Sequence, residues 1–372
     1  MKSYASSSTK TKATLCAVLA AAFYAVSVPM SKLFIADVRP AMLAAFLYLG
    51  AGVGMTLSVF VPWMFIRSSR QSSRVEVTTG TGHSSWEKQD LPFVLAMIAL
   101  DIAAPILLMF GVSLTTSATV SLLNNFEIVA TSVIAFVAFK EEVSRRLWLA
   151  IASVTVSSII LSVESDANFS LNYGAIFVLA ACVCWGVENN CTTRLSSKSP
   201  QQLVIIKGMF SGLGCFVVAK ILAEEVPNIG IVAGAMFVGF VGYGLSITFY
   251  IFAQRNLGAA KTSAYYAIAP FLGVAFSMII LGEIPNSQFW LALLIMVCAT
   301  YLMVKDSIEL QHSHLHSHTH THFHSHGDVY HCHEHAHSHL HAHTHNSDSS
   351  EAVHDHDHDF LSVVHDHSDH SH

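Results

Sequence analysis

The sequence predicts an all-α polytopic membrane protein of ten transmembrane helices, arranged as two inverted five-helix repeats and followed by a disordered, histidine-rich C-terminal tail. Hydrophobic residues make up 52% of the 372 and charged residues 12%, and the charges gather between long apolar runs instead of along helix faces. That composition belongs to the membrane class. Ten stretches approach the roughly 20 apolar residues a helix needs to cross a hydrocarbon core about 30 Å thick. The chain also nearly repeats itself. EEVSRRLWLA from Glu141 returns as EIPNSQFWLA, with Glu283, Trp290, Leu291 and Ala292 each 142 positions after Glu141, Trp148, Leu149 and Ala150 (283 − 141, 290 − 148).

The ten predicted spans are Ala13–Ser31, Ala41–Ile66, Leu91–Phe110, Thr115–Phe139, Leu147–Val163, Leu171–Thr193, Leu203–Ala219, Ile229–Phe252, Thr262–Leu281 and Phe289–Val304. Residues 1–12 form an N-terminal segment, 13–164 and 171–304 the two repeats, and 305–372 the tail. Lys2, Lys10 and Lys12 precede the first span as they would a signal peptide, but the apolar run is too long and has no small-residue cleavage site, so it reads as a retained helix. In the second and seventh spans, Gly50 with Gly54 and Gly208 with Gly212 give the small-xxx-small spacing that lets helices approach closely. Thr-Ser-Ala triplets at Thr116–Ala118 and Thr262–Ala264 precede the two copies with an offset of 146 (262 − 116), about one helical turn more than 142. The seven cysteines form no framework of spacings, so no extracellular disulfides are expected.

Lys and Arg are retained on the cytoplasmic side during insertion. With the N-terminus inside, the inner segments hold fifteen basic residues, among them Arg67, Lys88, Lys140, Arg145, Arg146, Arg194, Lys198 and Lys305, whereas the outer ones hold Lys32, Arg39 and Lys220. Both termini are then cytoplasmic. Five helices per unit is an odd number, so the second copy must be inverted relative to the first. The positions matching Arg145 and Arg146 are Ser287 and Gln288, as that inversion requires. Internal repeats of this kind point to transport.

The string SLLNNFEIVATSVIAFVAFKEE at Ser121 to Glu142, with its partner YYAIAPFLGVAFSMIILGE at Tyr265 to Glu283, resembles the EamA-type branch of the drug/metabolite transporter superfamily. FYAVSVPMSKLF in the first span and CWGVENNCTTRL in the sixth are similar to that family's half-opening helices. The family often carries a Glu-Pro pair about 14 residues before a Gly-Glu; here the pair is split, with Glu127 before Ile128 in one half and Ala269 before Pro270 in the other. The resemblance implies a ten-helix bundle around a central cavity that moves small solutes by alternating access. It implies no single solute.

Charged side chains inside a span are costly by a few kcal/mol and mark function by default. Glu127 is mid-span, with Asn124 three residues before it and Thr131 four after, so the three share a face expected to line the cavity, where Glu127 could also exchange a proton. The functional reading is a solute or cation contact; the structural reading is a hydrogen-bond anchor between helices. Glu188, Asn189 and Asn190 form a second cluster, with Lys207 at a depth that could neutralise Glu188. Asp101 is a third isolated carboxylate, with Pro105 one turn on freeing a carbonyl. Tyr24, Tyr243, Tyr250, Tyr265 and Tyr266 offer aromatic faces suited to an amphipathic or cationic solute, or serve as packing. The candidate solute-binding set is Asp101, Asn124, Glu127, Thr131, Glu188, Asn189, Tyr265 and Tyr266.

After Lys305 the composition changes, and 23 of the 24 histidines, all but His83, lie between His312 and His372. Such a segment has no apolar surface to offset the entropy of ordering. The candidate metal ligands are His312, His314, His316, His318, His320, His322, His324, His326, His331, Cys332, His333, His335, His337, His339, His341, His343 and His345. Neutral imidazole suits zinc, nickel, cobalt and copper ions, bound weakly and multivalently with help from carboxylates such as Asp355 and Asp357. None of the predicted spans contains a histidine, which argues against dedicated metal transport.

The expected function is that of a multi-pass secondary carrier, an exporter of a small organic metabolite or amphipathic compound, in a bacterial plasma membrane. The alternatives are a divalent-metal transporter with the tail as collecting antenna, and a membrane-anchored metal buffer or sensor. No catalytic constellation points to an enzyme, and no phosphate-binding loop of the GxxxxGK[ST] kind points to nucleotide-driven pumping. No cofactor is expected for transport. The partners expected are the lipid bilayer, a small-molecule solute and divalent metal ions, without nucleic acid; the sequence fixes no oligomeric state.

Overall fold

In the computed structural model, which describes residues 7–69, 87–140, 143–163, 171–195, 198–310, 312–326 and 329–343, ten of the helical rods are long and apolar enough to span a membrane. They are α1 (Thr11–Phe34), α2 (Pro40–Ser58), α3 (Lys88–Leu114), α4 (Ser117–Phe139), α5 (Arg145–Ser162), α6 (Tyr173–Arg194), α7 (Gln201–Ile221), α8 (Ile229–Leu257), α9 (Lys261–Leu281) and α10 (Ser287–Ser307). Each corresponds to one span read from the sequence. Several begin at side-chain caps: the oxygens of Thr116, Ser144, Asn172 and Asn228 accept backbone N–H groups that have no intrahelical partner.

The duplication is visible in the backbone. The helix of α4 begins at Ser117, and the helical turns that lead into α9 begin at Ala259, two residues ahead of its apolar span and 142 after Ser117 (259 − 117). Both end in left-handed caps, Lys140 at φ 56° and Gly282 at φ 67°, with the same offset (282 − 140). Helix pairing follows the same symmetry. Across the two repeats α3 and α4 pack on α6, and their counterparts are α8 and α9 on α1. α2 meets α7, and α5 meets α10, each pairing with its own counterpart across the pseudo-axis. Two five-helix units, each of odd parity, therefore interleave with opposite orientation.

Alanines pack the interior beside large side chains such as Met42, Leu43 and Leu108, and many other large apolar residues face out. Ala17, Ala20, Ala41, Ala44 and Ala45 are fully buried, whereas Val137, Ile221 and Ile279 are 70 to 77% exposed. A surface of that kind fits hydrocarbon, where close backbone approach replaces the hydrophobic drive as the cause of packing. A Cβ on Gly239 would stand 1.9 Å from the Leu47 carbonyl oxygen, and one on Gly208 2.5 Å from the Gly52 backbone.

The rods are interrupted at four places. α4 breaks between Leu123 and Phe126, and α9 between Tyr266 and Ala269. α7 widens into a π-helix over Lys207–Ser211, and α8 does so over Phe240–Leu245. α3 continues as helix past Pro105, which lies inside it. Among the described residues Cys16, Cys182, Cys184, Cys191, Cys215 and Cys298 are free thiols.

In the tail, read from the sequence as disordered, the backbone of two segments pairs as an antiparallel ribbon, β1 (His312–His326) with β2 (Val329–His343). The register sets His312 opposite His343, His318 opposite His337 and His324 opposite His331. The period-2 sequence pattern permits such pairing, but a lone two-stranded ribbon is marginal in water. His345 and the rest of 344–372 lie outside the described residues, as do Arg70, Arg74, His83, Glu141 and Glu142.

Candidate functional site

A cavity of about 180 Å³ lies among the helices, and seven of the ten spans contribute its polar or aromatic lining. Three of the four irregularities in the rods supply a residue to it. Glu127 is in the first turn of the half-helix that follows the α4 break, Lys207 opens the π segment of α7, and Tyr243 lies within that of α8. A π turn adds one residue per turn and re-aims the side chains it carries, which is why such bulges recur at functional sites.

Lys207 holds the centre of the electrostatics. Its Nζ is 2.5 Å from Glu188 Oε1 and 3.6 Å from Asp101 Oδ2, and both carboxylates are almost fully buried. The Tyr48 hydroxyl donates to the other oxygen of Asp101 at 3.4 Å, and Thr192 donates to Glu188 from one turn away. Glu127 is held separately: the Asn189 side-chain amide donates to its Oε1 at 2.8 Å and to Thr131 Oγ1 at 3.2 Å. Thr131 in turn donates to the Glu127 carbonyl. These contacts offset the cost of burying polar groups so deep, since each unpaired one in low dielectric costs several kcal/mol, of the order of 2–7.

Aromatic rings make up much of the remaining lining. Tyr24 and Tyr48 stand 6.1 and 5.7 Å, centroid to centroid, from Tyr243, and Trp185 completes the lining. Tyr266 touches Tyr24 and Tyr250 at 5.9 and 5.1 Å, whereas Tyr265 is 39% exposed and lines no part of the cavity.

The α4 break changes the geometry expected of Asn124. Asn124 and Asn125 are the turn residues between the two half-helices, buried, with Asn124 Oδ1 and Asn125 Nδ2 unpaired. The carbonyls of Leu123 and Asn124 lie near the Cys182 thiol, at 3.7 and 3.9 Å. Asn124 therefore does not share a continuous helical face with Glu127 and Thr131, and it is absent from the cavity lining. Of the set read from the sequence, Asp101, Glu127, Glu188 and Asn189 meet at the cavity, and Thr131 supports Glu127 and Asn189 from behind. Tyr48 and Trp185 were not read from the sequence, because an aromatic in an apolar span carries no distinguishing signal.

The end of the bundle opposite Lys198 is tied by three carboxylate or ammonium contacts to helix ends. Glu283 accepts the backbone N–H groups of Ser117 and Ala118, both at 2.8 Å, and Ser117 shares a hydrogen bond with Ser277. Glu224 accepts from the N–H groups of Ala41 and Met42. Lys32 donates to the Val112 and Thr115 carbonyls at 2.5 and 2.7 Å. Each charge has the sign that the helix end it meets attracts. At the other end Lys198 pairs with Asp90 at 2.7 Å and Ser144 donates to Asp306 at 2.5 Å.

A second hollow of about 310 Å³ between α2 and α8, lined by Gly50, Gly54, Leu57 and Phe237 among others, is almost wholly apolar and opens beside exposed side chains. Its chemistry is that of a lipid-facing groove. Within the described residues no group of three or more His, Cys, Asp or Glu side chains is arranged to hold a metal ion. The side chains of β1 and β2 are not among those described.

Comparison with known proteins gives three findings. The sequence profile of the EamA-like transporter family matches residues 11–163 and again 172–305. An uncharacterized transporter of Methanothermobacter thermautotrophicus is 24% identical over 279 residues, covering 72% of this chain and 78% of that protein. A solved structure, described only as the crystal structure of a protein, superposes with a TM-score of 0.54 at 15% identity, over 80% of this chain and 97% of the other. That likeness concerns the fold alone.

Proposed function

The chain belongs to the EamA-like transporter family, and from that premise we propose that it is a secondary carrier that exports a small organic solute by alternating access through the cavity around Asp101, Glu127, Glu188 and Lys207. The observation that carries this reading is the convergence of the chain's irregular backbone on one polar cavity. Inverted-repeat carriers bind their solutes near the midplane, where helices are discontinuous. The broken α4 and the π segments of α7 and α8, each of which supplies a lining residue, support it. The orientation we propose, from the distribution of Lys and Arg, puts both termini in the cytosol of a cell with a bacterial plasma membrane.

The tail is proposed to bind zinc, nickel, cobalt or copper ions and to buffer or regulate, not to feed the pore. The ligand density and the register that faces histidine positions across β1 and β2 support this. In sealed vesicles made with the full chain, solute flux is expected to fail in Glu127→Gln and to survive deletion of 311–372. The deletion begins there because the last helix runs to Leu310 and Asp306 accepts the Ser144 hydroxyl. Loss of flux on deletion alone would instead favour the tail as a metal-collecting antenna.

A further inference from the structure

Resting on the carrier reading, we propose that the solute is a small organic cation carrying an ammonium group, seated among Tyr24, Tyr48, Trp185 and Tyr243 with Glu127 as its counter-charge. Three carboxylates, Asp101, Glu127 and Glu188, border the cavity, and Lys207 is the one ammonium among its lining residues. Both of the Lys207 contacts go to Asp101 and Glu188. Glu127 receives its side-chain hydrogen bond from a neutral amide, Asn189, so the cavity keeps an excess of negative charge. In low dielectric a carboxylate without a cationic partner is neutralised by a proton or by a cation, and the occupant can supply the cation.

The aromatic wall points the same way. Ring faces attract cations, and quaternary and primary ammonium groups are recognised by cages of Tyr and Trp. Tyr48 also donates its hydroxyl toward Asp101, so its ring is fixed in place by the same acid cluster that sets the charge. An anion entering the cavity would meet three carboxylates. The carboxylate of a zwitterion would have to displace Glu188 from its 2.5 Å contact with Lys207 to find a partner. A volume of about 180 Å³ limits the cation to a compact one.

Isosteric probes isolate the charge. Titration calorimetry on the full chain in lipid nanodiscs compares choline and tetramethylammonium with the uncharged isostere 3,3-dimethylbutan-1-ol and the anion 3,3-dimethylbutanoate. Choline or tetramethylammonium is expected to bind at least about tenfold more tightly than the alcohol, and the anion not at all. Glu127→Gln is expected to remove that preference while the melting temperature holds, and Tyr243→Leu to weaken the cations more than the alcohol. Equal or tighter binding of the alcohol or the anion overturns the cation assignment, as does silence of both cations. The carrier reading is judged separately, by entry of whichever probe binds into sealed vesicles. A cation that binds but never crosses leaves the site standing and overturns the carrier; an uncharged or anionic probe that crosses while cations do not does the reverse.

Discussion

With its ammonium drawn between Glu188 at 2.5 Å and Asp101 at 3.6 Å, Lys207 compensates two carboxylates that have almost no access to solvent. Removing one member of a buried ionic group leaves the rest uncompensated, which costs about 3–5 kcal/mol, more than the group contributes over an apolar replacement. Lys207→Met is therefore expected to lower thermal stability strongly. Adding Asp101→Asn and Glu188→Gln to it is expected to restore most of the loss, both read as melting temperatures of the purified protein. Equal melting of wild type and Lys207→Met would contradict the ion-pair geometry. These ionisable residues were legible in the sequence because a charge within an apolar run is costly and needs a partner, structural or functional. Tyr48 and Trp185 were not, since their role depends on which neighbours the fold brings to them. Asn124 was misplaced for a related reason: helical spacing assigns it a face only if the helix continues, and here it forms the turn.

At the scale of elements, the positions of the ten spans follow from hydropathy, but the interruptions that shape the site do not. The π segment of α7 opens at Lys207 and continues through Gly208, whose missing side chain lets the backbone lie against Gly52 of α2. Gly208→Ala places a Cβ 2.5 Å from that backbone, where no flexible side chain can give way. Overpacking of that kind costs about 1–3 kcal/mol, so the variant is expected to melt lower and to bind solute more weakly, and unchanged melting would mean that α2 and α7 are not in close contact. The tie between Glu283 and the first N–H groups of α4 joins the two repeats at one end of the bundle. Glu283→Ala removes both acceptors. It is expected to speed labelling of Cys182, beside the α4 break, by an impermeant maleimide added from that end, in a chain whose other cysteines are serine. An unchanged rate would show that the contact does not hold that end shut.

The whole molecule is governed by the symmetry that first shows as EEVSRRLWLA and EIPNSQFWLA. The same offset of 142 sets where the α4 and α9 helices start and where they end in left-handed caps, and the pairing of α3 with α6 is matched by that of α8 with α1. Hydropathy alone finds ten rods; only the repeat predicts how they interleave. The tail stands outside this symmetry. Its alternation was plain in the sequence, whereas the pairing of β1 with β2 was not, because a ribbon with nothing to rest on leaves no apolar signature. Full-length protein is expected to retain zinc or nickel ions through dialysis in proportion to its histidines, and protein lacking 311–372 is expected to retain almost none, as metal analysis would read.

Two antiparallel units around one pathway require that the chain emerge on opposite sides of the membrane after α4 and after α9. Lys140, at the end of α4, and Ile284, 92% exposed beyond α9, are the places to look. Single cysteines in place of each, in intact cells, are expected to react with an impermeant maleimide at Ile284 and to be shielded at Lys140 until the membrane is opened. Reaction of both from the same side would remove the inverted repeat, and with it the two-sided access on which the carrier depends.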